Sequence, residues 1–219
     1  MIVATRKSLD DILRMLQGRQ NVLVLGCGEC VTVCMAGGIK EVTALASQIR
    51  LRRQTTGEGP ATVEEATIER QCDKEFFDPI MEKLRSVDAV VSLACGVGVN
   101  FASGLTGKVP VFPGVDTTFM GATVEYGKWQ EMCAGCGNCI LDLTGGICPV
   151  ARCAKTIMNG PCGGSNKGKC EISKEMDCAW ALIIERMKEL GTLDRLREII
   201  PAKDWTTARD GGPRTAVHE

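Results

Sequence analysis

The sequence predicts an α/β fold: a small parallel-sheet, three-layer domain, then a cysteine-rich metal-cluster module and C-terminal helices. Three observations predict it. Asn21–Gly26 (NVLVLG) and Ala89–Ala94 (AVVSLA) are continuous apolar runs of strand length, the pattern of strands buried on both faces. Around them lie stretches with helical spacing of apolar residues, and alternation of this kind implies a parallel sheet covered on both sides. Seven of the thirteen cysteines then crowd into Cys133–Cys170 together with eight glycines, a segment that bound metal rather than an apolar core would organise. The boundary between the two parts is expected near residue 125, giving an α/β domain over 1–125 and a cysteine-rich module with a helical end over 126–219.

In order, the chain is expected to begin with a helix, capped by Ser8 with Asp11 three residues on and stopped by Gly18. The strand Asn21–Gly26 follows, and from Gly38 a helical pattern runs through Ile39, Val42, Leu45, Ala46 and Ile49. Residues 61–68 read as a half-buried strand. A helix is expected from about Glu75 to Arg85, with Phe76, Phe77, Ile80, Met81 and Leu84 on one face. The strand Ala89–Ala94 and a short third buried strand, Val109–Phe112, complete the sheet, and Lys108–Tyr126 reads as a connector. After the cysteine-rich stretch two amphipathic helices are expected, at about Asp177–Leu190 and Leu193–Ile200, broken by Gly191 and ended by Pro201. Beyond Trp205 the tail is polar and is expected to be mobile unless a partner holds it.

Composition narrows the chemistry. The 219 residues are 44% hydrophobic, enough for a real core, and the net charge of −1 gives no basic footprint for nucleic acid or an anionic membrane. Aromatics make up 4%, too few for the stacking platforms that bind single strands. No apolar run approaches a membrane span, and the start, MIVATRKSLDDILRML, has no apolar signal segment, so a cytoplasmic protein is expected. The one histidine, His218, is in the terminal tail, which leaves the cysteines to carry the chemistry. Gly26-Cys27-Gly28 and Gly96-Val97-Gly98 each follow a strand, but Val31 and Phe101 occupy the third glycine position of the dinucleotide fingerprint. With no phosphate-binding loop elsewhere, no flavin or nucleotide is expected in this chain.

Cys133, Cys136 and Cys139 are spaced C-x2-C-x2-C, and Cys148 is followed at once by Pro149. Three thiolates at this spacing can each reach a different iron of one [4Fe–4S] cluster, and the Cys-Pro pair is how bacterial ferredoxin runs close. The fourth ligand is expected from Cys148, Cys153, Cys162 or Cys170. Eight cysteines lie between Cys133 and Cys178, enough for two cubanes or for a cubane beside a zinc ion. Cys178 stands in a helical pattern before Trp180 and is either a ligand or core. Structural zinc, which takes four thiolates, is the competing reading. A disulfide framework suits short secreted chains rather than this one, and thirteen is odd.

A second set stands at the strand exits. Cys27, Cys30 and Cys34 form C-x2-C-x3-C just after the first buried strand, Cys95 follows the second, and Cys72 closes TIERQCD. Parallel strands deliver their C-terminal loops to one edge, where ligands bind. A cluster held by Cys27, Cys30 and Cys34 is therefore expected there, with Cys95 as fourth ligand and Cys72 as the alternative. Two or more [4Fe–4S] clusters are expected in all.

GCGECVTVC, ERQCD, ACGVGVN and above all GICPVARCAKTIMNGPCGG with GKCEI and DCAW resemble the MetV family, the C-terminal-domain family of methylenetetrahydrofolate reductase. The resemblance extends over nearly the whole chain. It implies a small iron–sulfur or zinc-binding accessory subunit that pairs with a flavin-bearing, MetF-like catalytic barrel. Such a complex reduces 5,10-methylenetetrahydrofolate to 5-methyltetrahydrofolate in the methyl branch of the acetyl-CoA (Wood–Ljungdahl) pathway of anaerobes. It also implies an upstream donor such as ferredoxin or another redox subunit. On this reading the chain relays electrons and supplies no acid, base or nucleophile for folate; the alternative is a zinc scaffold without a redox role.

Overall fold

The protein is described by a computed structural model covering residues 1–217, so His218 lies outside the described residues. The chain forms two compact units, Met1–Phe119 with Glu125–Trp129, and Met120–Val124 with Gln130 onward.

The first unit is built on a four-stranded parallel sheet in the order β3-β2-β4-β5, with β2 at Asn21–Cys27, β3 at Thr62–Ile68, β4 at Ala89–Ser92 and β5 at Val111–Pro113. Side chains on β2 alternate between two cores. Val22 and Val24 join one with Ile12, Leu16, Val42 and Ile49; Leu23 and Leu25 join the other with Phe77, Leu84 and Ala102. The first core belongs to α1 (Leu9–Met15) and α3 (Ile39–Thr56), the second to α4 (Met81–Ser86) and α5 (Gly96–Leu105), and the sheet lies between them. The three-layer α/β class is therefore as the sequence predicts.

Local signals set several boundaries. The Ser8 hydroxyl accepts the Asp11 N–H at 3.1 Å to start α1, and Glu41 accepts the Gly38 N–H at 2.9 Å at the start of α3. Gly57, at φ +75, ends α3 with its N–H on Arg53 O. Elsewhere the structure departs from expectation. The chain opens with a strand, β1 (Ile2–Arg6), the supposed connector contains β6 (Val115–Glu125), and β7 (Lys128–Cys133) follows just beyond it; the three form a second sheet in the order β1-β6-β7. The helix expected over Glu75–Arg85 is a 3₁₀ stretch, Lys74–Ile80, followed by α4, because Pro79 supplies no N–H for an α-helical turn.

The second unit is mostly turns around two helices, α6 (Pro149–Arg152) and α7 (Ala179–Glu189). Its small core gathers Cys178, Trp180, Ile183 and Met187, with Ile147, Cys153 and Leu196 packed against it. The second terminal helix is reduced to a 3₁₀ segment, Leu193–Arg197. Its continuation is held extended by Asn159, whose side-chain amide donates to Ile200 O and accepts from Ile200 N, each at 2.8 Å.

Candidate metal centre

All thirteen cysteines are free thiols. In the first unit, β2, β3 and β4 run parallel and end at one edge, which delivers Cys27, Cys72 and Cys95 to the same place. Cys27 is the last residue of β2 and is buried, and its thiol stands 3.7 Å from Glu69 O. Burial pushes that thiol above its usual range. Backbone hydrogen bonds from Glu29 and Gln71 oppose the rise, and charge on Cys95 and then Cys72 adds to it. The neighbours that reach Cys27 electrostatically are thus the other two strand exits. Cys95 stands at the N-cap of α5.

Cys30 and Cys34 are placed differently. Both belong to the short α2 turn, Cys30–Val33, which Cys34 caps. Cys34 is buried in the apolar core, 3.8 Å from Ala4 O and 3.7 Å from Val31 O, and burial pushes its thiol up. Cys30 is half-buried and adds a smaller rise through its charge. Cys27 and Cys34 belong to one buried cluster, with Cys95 packed against it.

Gln71 fixes this edge, and no local pattern around it singles it out. It is fully buried, its amide nitrogen donates to Leu25 O and Gly26 O at 3.0 Å each, and its oxygen accepts from Ser92 Oγ at 2.7 Å. The residue before Cys72 is thereby tied to β2 and β4. The loop after Cys27 is equally constrained: Gly28 N donates to Ile68 O at 2.8 Å, Thr32 Oγ1 donates to Cys27 O at 2.7 Å, and a Cβ at Gly37 would overlap the Leu93 carbonyl.

In the second unit, Cys133 ends β7 and begins the C-x2-C-x2-C arc. Gly135 and Gly137 take φ of +63 and +75, conformations that glycine reaches without strain, and so turn the chain between the thiols. The Gly135 N–H points at Cys133 Sγ at 3.4 Å, and the Gly164 N–H points at Cys162 Sγ at the same distance. Cys148 and Cys153 flank α6, begun by Pro149 at its first position. Cys162 also has Lys155 Nζ at 4.0 Å and a Glu171 oxygen at 3.9 Å, while Lys155 and Glu171 pair with each other. Cys170 N donates to Met176 O at 2.9 Å, and Cys178 N donates to Gly168 O at 2.8 Å. Cys178 caps α7 and is buried, and Cys153 packs against the same small core.

Among the described residues, no three cysteine, histidine or acidic side chains converge as ligands of one ion do. The donor set nevertheless has the chemistry of a thiolate-ligated metal group: unpaired thiols in two neighbourhoods, with glycine N–H groups aimed at sulfur. The same donors suit iron–sulfur clusters and zinc.

Fold and thiols together define a two-unit α/β protein with a cysteine-rich second unit. Residues 112–206, which contain all eight cysteines of that unit, are similar to a protein family described as methylene-tetrahydrofolate reductase C terminal. No curated protein and no solved structure matches the chain. No helix among the described residues is long and apolar enough to cross a membrane.

Proposed function

We propose that the chain is an accessory electron-transfer subunit of a methylenetetrahydrofolate reductase complex. Electrons pass through it to the flavin of a catalytic partner subunit, which reduces 5,10-methylenetetrahydrofolate to 5-methyltetrahydrofolate. The observation that carries this reading is the coincidence of two features: the segment similar to the reductase C-terminal family is also the segment where the thiols concentrate.

Bound [4Fe–4S] clusters supply one-electron exchange, which a flavin can pass on as a hydride. The chain's own residues bind and orient. Cys133, Cys136 and Cys139 present three thiolates from one glycine-rich turn, with the fourth drawn from Cys148, Cys153, Cys162 or Cys170. At the sheet edge, Cys27, Cys30 and Cys34 with Cys95 would hold a second cluster, and Cys72, next to the Gln71 network, is the alternative fourth ligand. Backbone N–H groups are directed at the sulfurs of Cys133 and Cys162. No side chain here is assigned a role in folate chemistry; that belongs to the flavin subunit, and a soluble donor such as ferredoxin feeds the chain in the cytoplasm.

The test is anaerobic metal and sulfide analysis of the full-length chain with visible spectroscopy. Iron and acid-labile sulfide in a near-equal ratio, with a brown chromophore bleached by reductant, are expected. A colourless protein with stoichiometric zinc after anaerobic purification and reconstitution would overturn the electron-transfer reading in favour of a zinc scaffold.

A further inference from the structure

The Cys133–Cys139 arc is short, rich in glycine and exposed at both ends, so little in its own sequence fixes where its thiols point. The contacts that fix it come from the far end of the chain. The Thr207 hydroxyl stands 2.9 Å from Cys136 O and 3.0 Å from Asp204 O, and Lys203 Nζ donates to Asn138 O. Gly137 lies directly under the Thr207 carbonyl, so closely that a Cβ there would overlap it. Three successive residues of the arc, Cys136 to Asn138, are thus each engaged by the segment Lys203–Thr207.

That segment has a structure of its own. Asp204 accepts the Thr206 N–H at 2.9 Å and caps the 3₁₀ turn Trp205–Thr207, and Lys203 lies 5.7 Å from the Trp205 ring centre. Ala208 is buried, a second turn follows at Arg209–Gly211, and Arg214 donates back to the Thr207 carbonyl. Of the three arc thiols, Cys136 alone is half-buried; Cys133 and Cys139 are exposed.

We propose that the C-terminal strap, Lys203–Gly211, is part of the thiol site, with Thr207 as a positioning residue that holds the Cys136 backbone and keeps this middle thiol covered. Its use in retaining a metal rests on the reading of the arc as a ligand set. The hold itself does not, and the two can be told apart.

The experiment compares wild type, Thr207→Val, Thr207→Ser and a chain ending at Ala202. Each full-length or shortened protein is reduced, stripped of metal and treated anaerobically with iodoacetamide, and modification of each cysteine is timed by mass spectrometry. Loss of the hydroxyl contact should speed Cys136 about five-fold relative to Cys148 in the same molecule, the equivalent of one hydrogen bond. Serine should restore the wild-type ratio, and the shortened chain should exceed valine. Equal Cys136 rates in wild type, valine and shortened chains overturn the proposal. So does a uniform acceleration of all thiols, which would report general unfolding. After anaerobic reconstitution, iron should leave the valine variant for a chelator about five-fold faster than wild type. If neither protein takes up iron, the metal reading fails while the alkylation ratios still decide the strap.

Discussion

Ser92 donates its hydroxyl proton to the side-chain oxygen of Gln71 across 2.7 Å, and both residues are fully buried. The same Ser92 oxygen accepts the Ala94 N–H at 3.2 Å, and the Gln71 nitrogen serves two carbonyls of β2. One buried network therefore links the ends of β2 and β4 to the residue that precedes Cys72. Every polar atom in it has a partner, which is what makes burial tolerable.

Removing Gln71 takes one hydrogen bond from each of its buried partners. Gln71→Ala is expected to destabilise the protein by about 2–4 kcal/mol, from a Ser92 hydroxyl left without its acceptor, the donor lost at Gly26 O and Leu25 O (the latter keeping the Leu93 N–H) and a cavity. Ser92→Ala should cost less, about 1–2 kcal/mol. Urea unfolding of both variants and of the double variant checks this. Strictly additive losses would argue against a shared network.

Gly160 is pressed against the Trp180 indole: a Cβ there would lie 2.6 Å from Cδ1. Trp180 is itself buried and donates its indole N–H to Ile157 O at 2.8 Å. Gly160→Ala is therefore expected to displace the ring or the loop and cost about 1–3 kcal/mol. The expected readout is a lower melting temperature with a shifted tryptophan emission. Unchanged values in both would show that the loop yields freely.

Asp88 accepts the N–H groups of Gln20 and Asn21 at 2.9 and 2.8 Å, where the chain enters β2. The Asn21 and Gln20 bonds, in that order, hold its carboxyl below the usual aspartate value of 3.8. A depressed folded-state value means that the contribution is present above the unfolded value and is lost as pH falls through the folded one. Stability should therefore decline from about pH 4 downward. Asp88→Asn should flatten that part of the curve. Urea midpoints between neutral and acid pH test it, and identical acid limbs would rule out a role for this carboxylate.

At the sheet edge two ligand sets compete: Cys27 and Cys95 with Cys72, or Cys27 and Cys95 with Cys30 and Cys34. If the first set holds the cluster, Cys72→Ser should lower the iron bound by the full-length chain after anaerobic reconstitution and remove one paramagnetic signal. Cys34→Ser, made in the apolar core, should leave iron unchanged and lower stability instead. Loss of iron in Cys34→Ser with none in Cys72→Ser would assign the C-x2-C-x3-C set as the ligands.

Much of the fold was legible because its signals are local. Uninterrupted apolar runs marked β2 and β4, Ser8 carries its capping chemistry in its own residue type, and helical spacing found α3 and α7. The thiols too could be read as a metal-type donor set from spacing alone. The contacts of the terminal segment were not legible: nothing in its polar sequence shows that Thr207 and Lys203 reach the arc more than sixty residues earlier.

What sequence alone determined is the α/β class, the crowding of thiols and the absence of a complete nucleotide-binding motif, all properties of residue type and short-range order. Tertiary structure decided which distant groups meet. β1 pairs with β6 from the other end of the first unit, Gln71 reaches two strands, Cys72 and Cys95 come to Cys27, and Thr207 closes on Cys136. Each of these depends on pairing across long stretches of chain, where the cost of ordering is repaid by burial and by hydrogen bonds that no local pattern encodes.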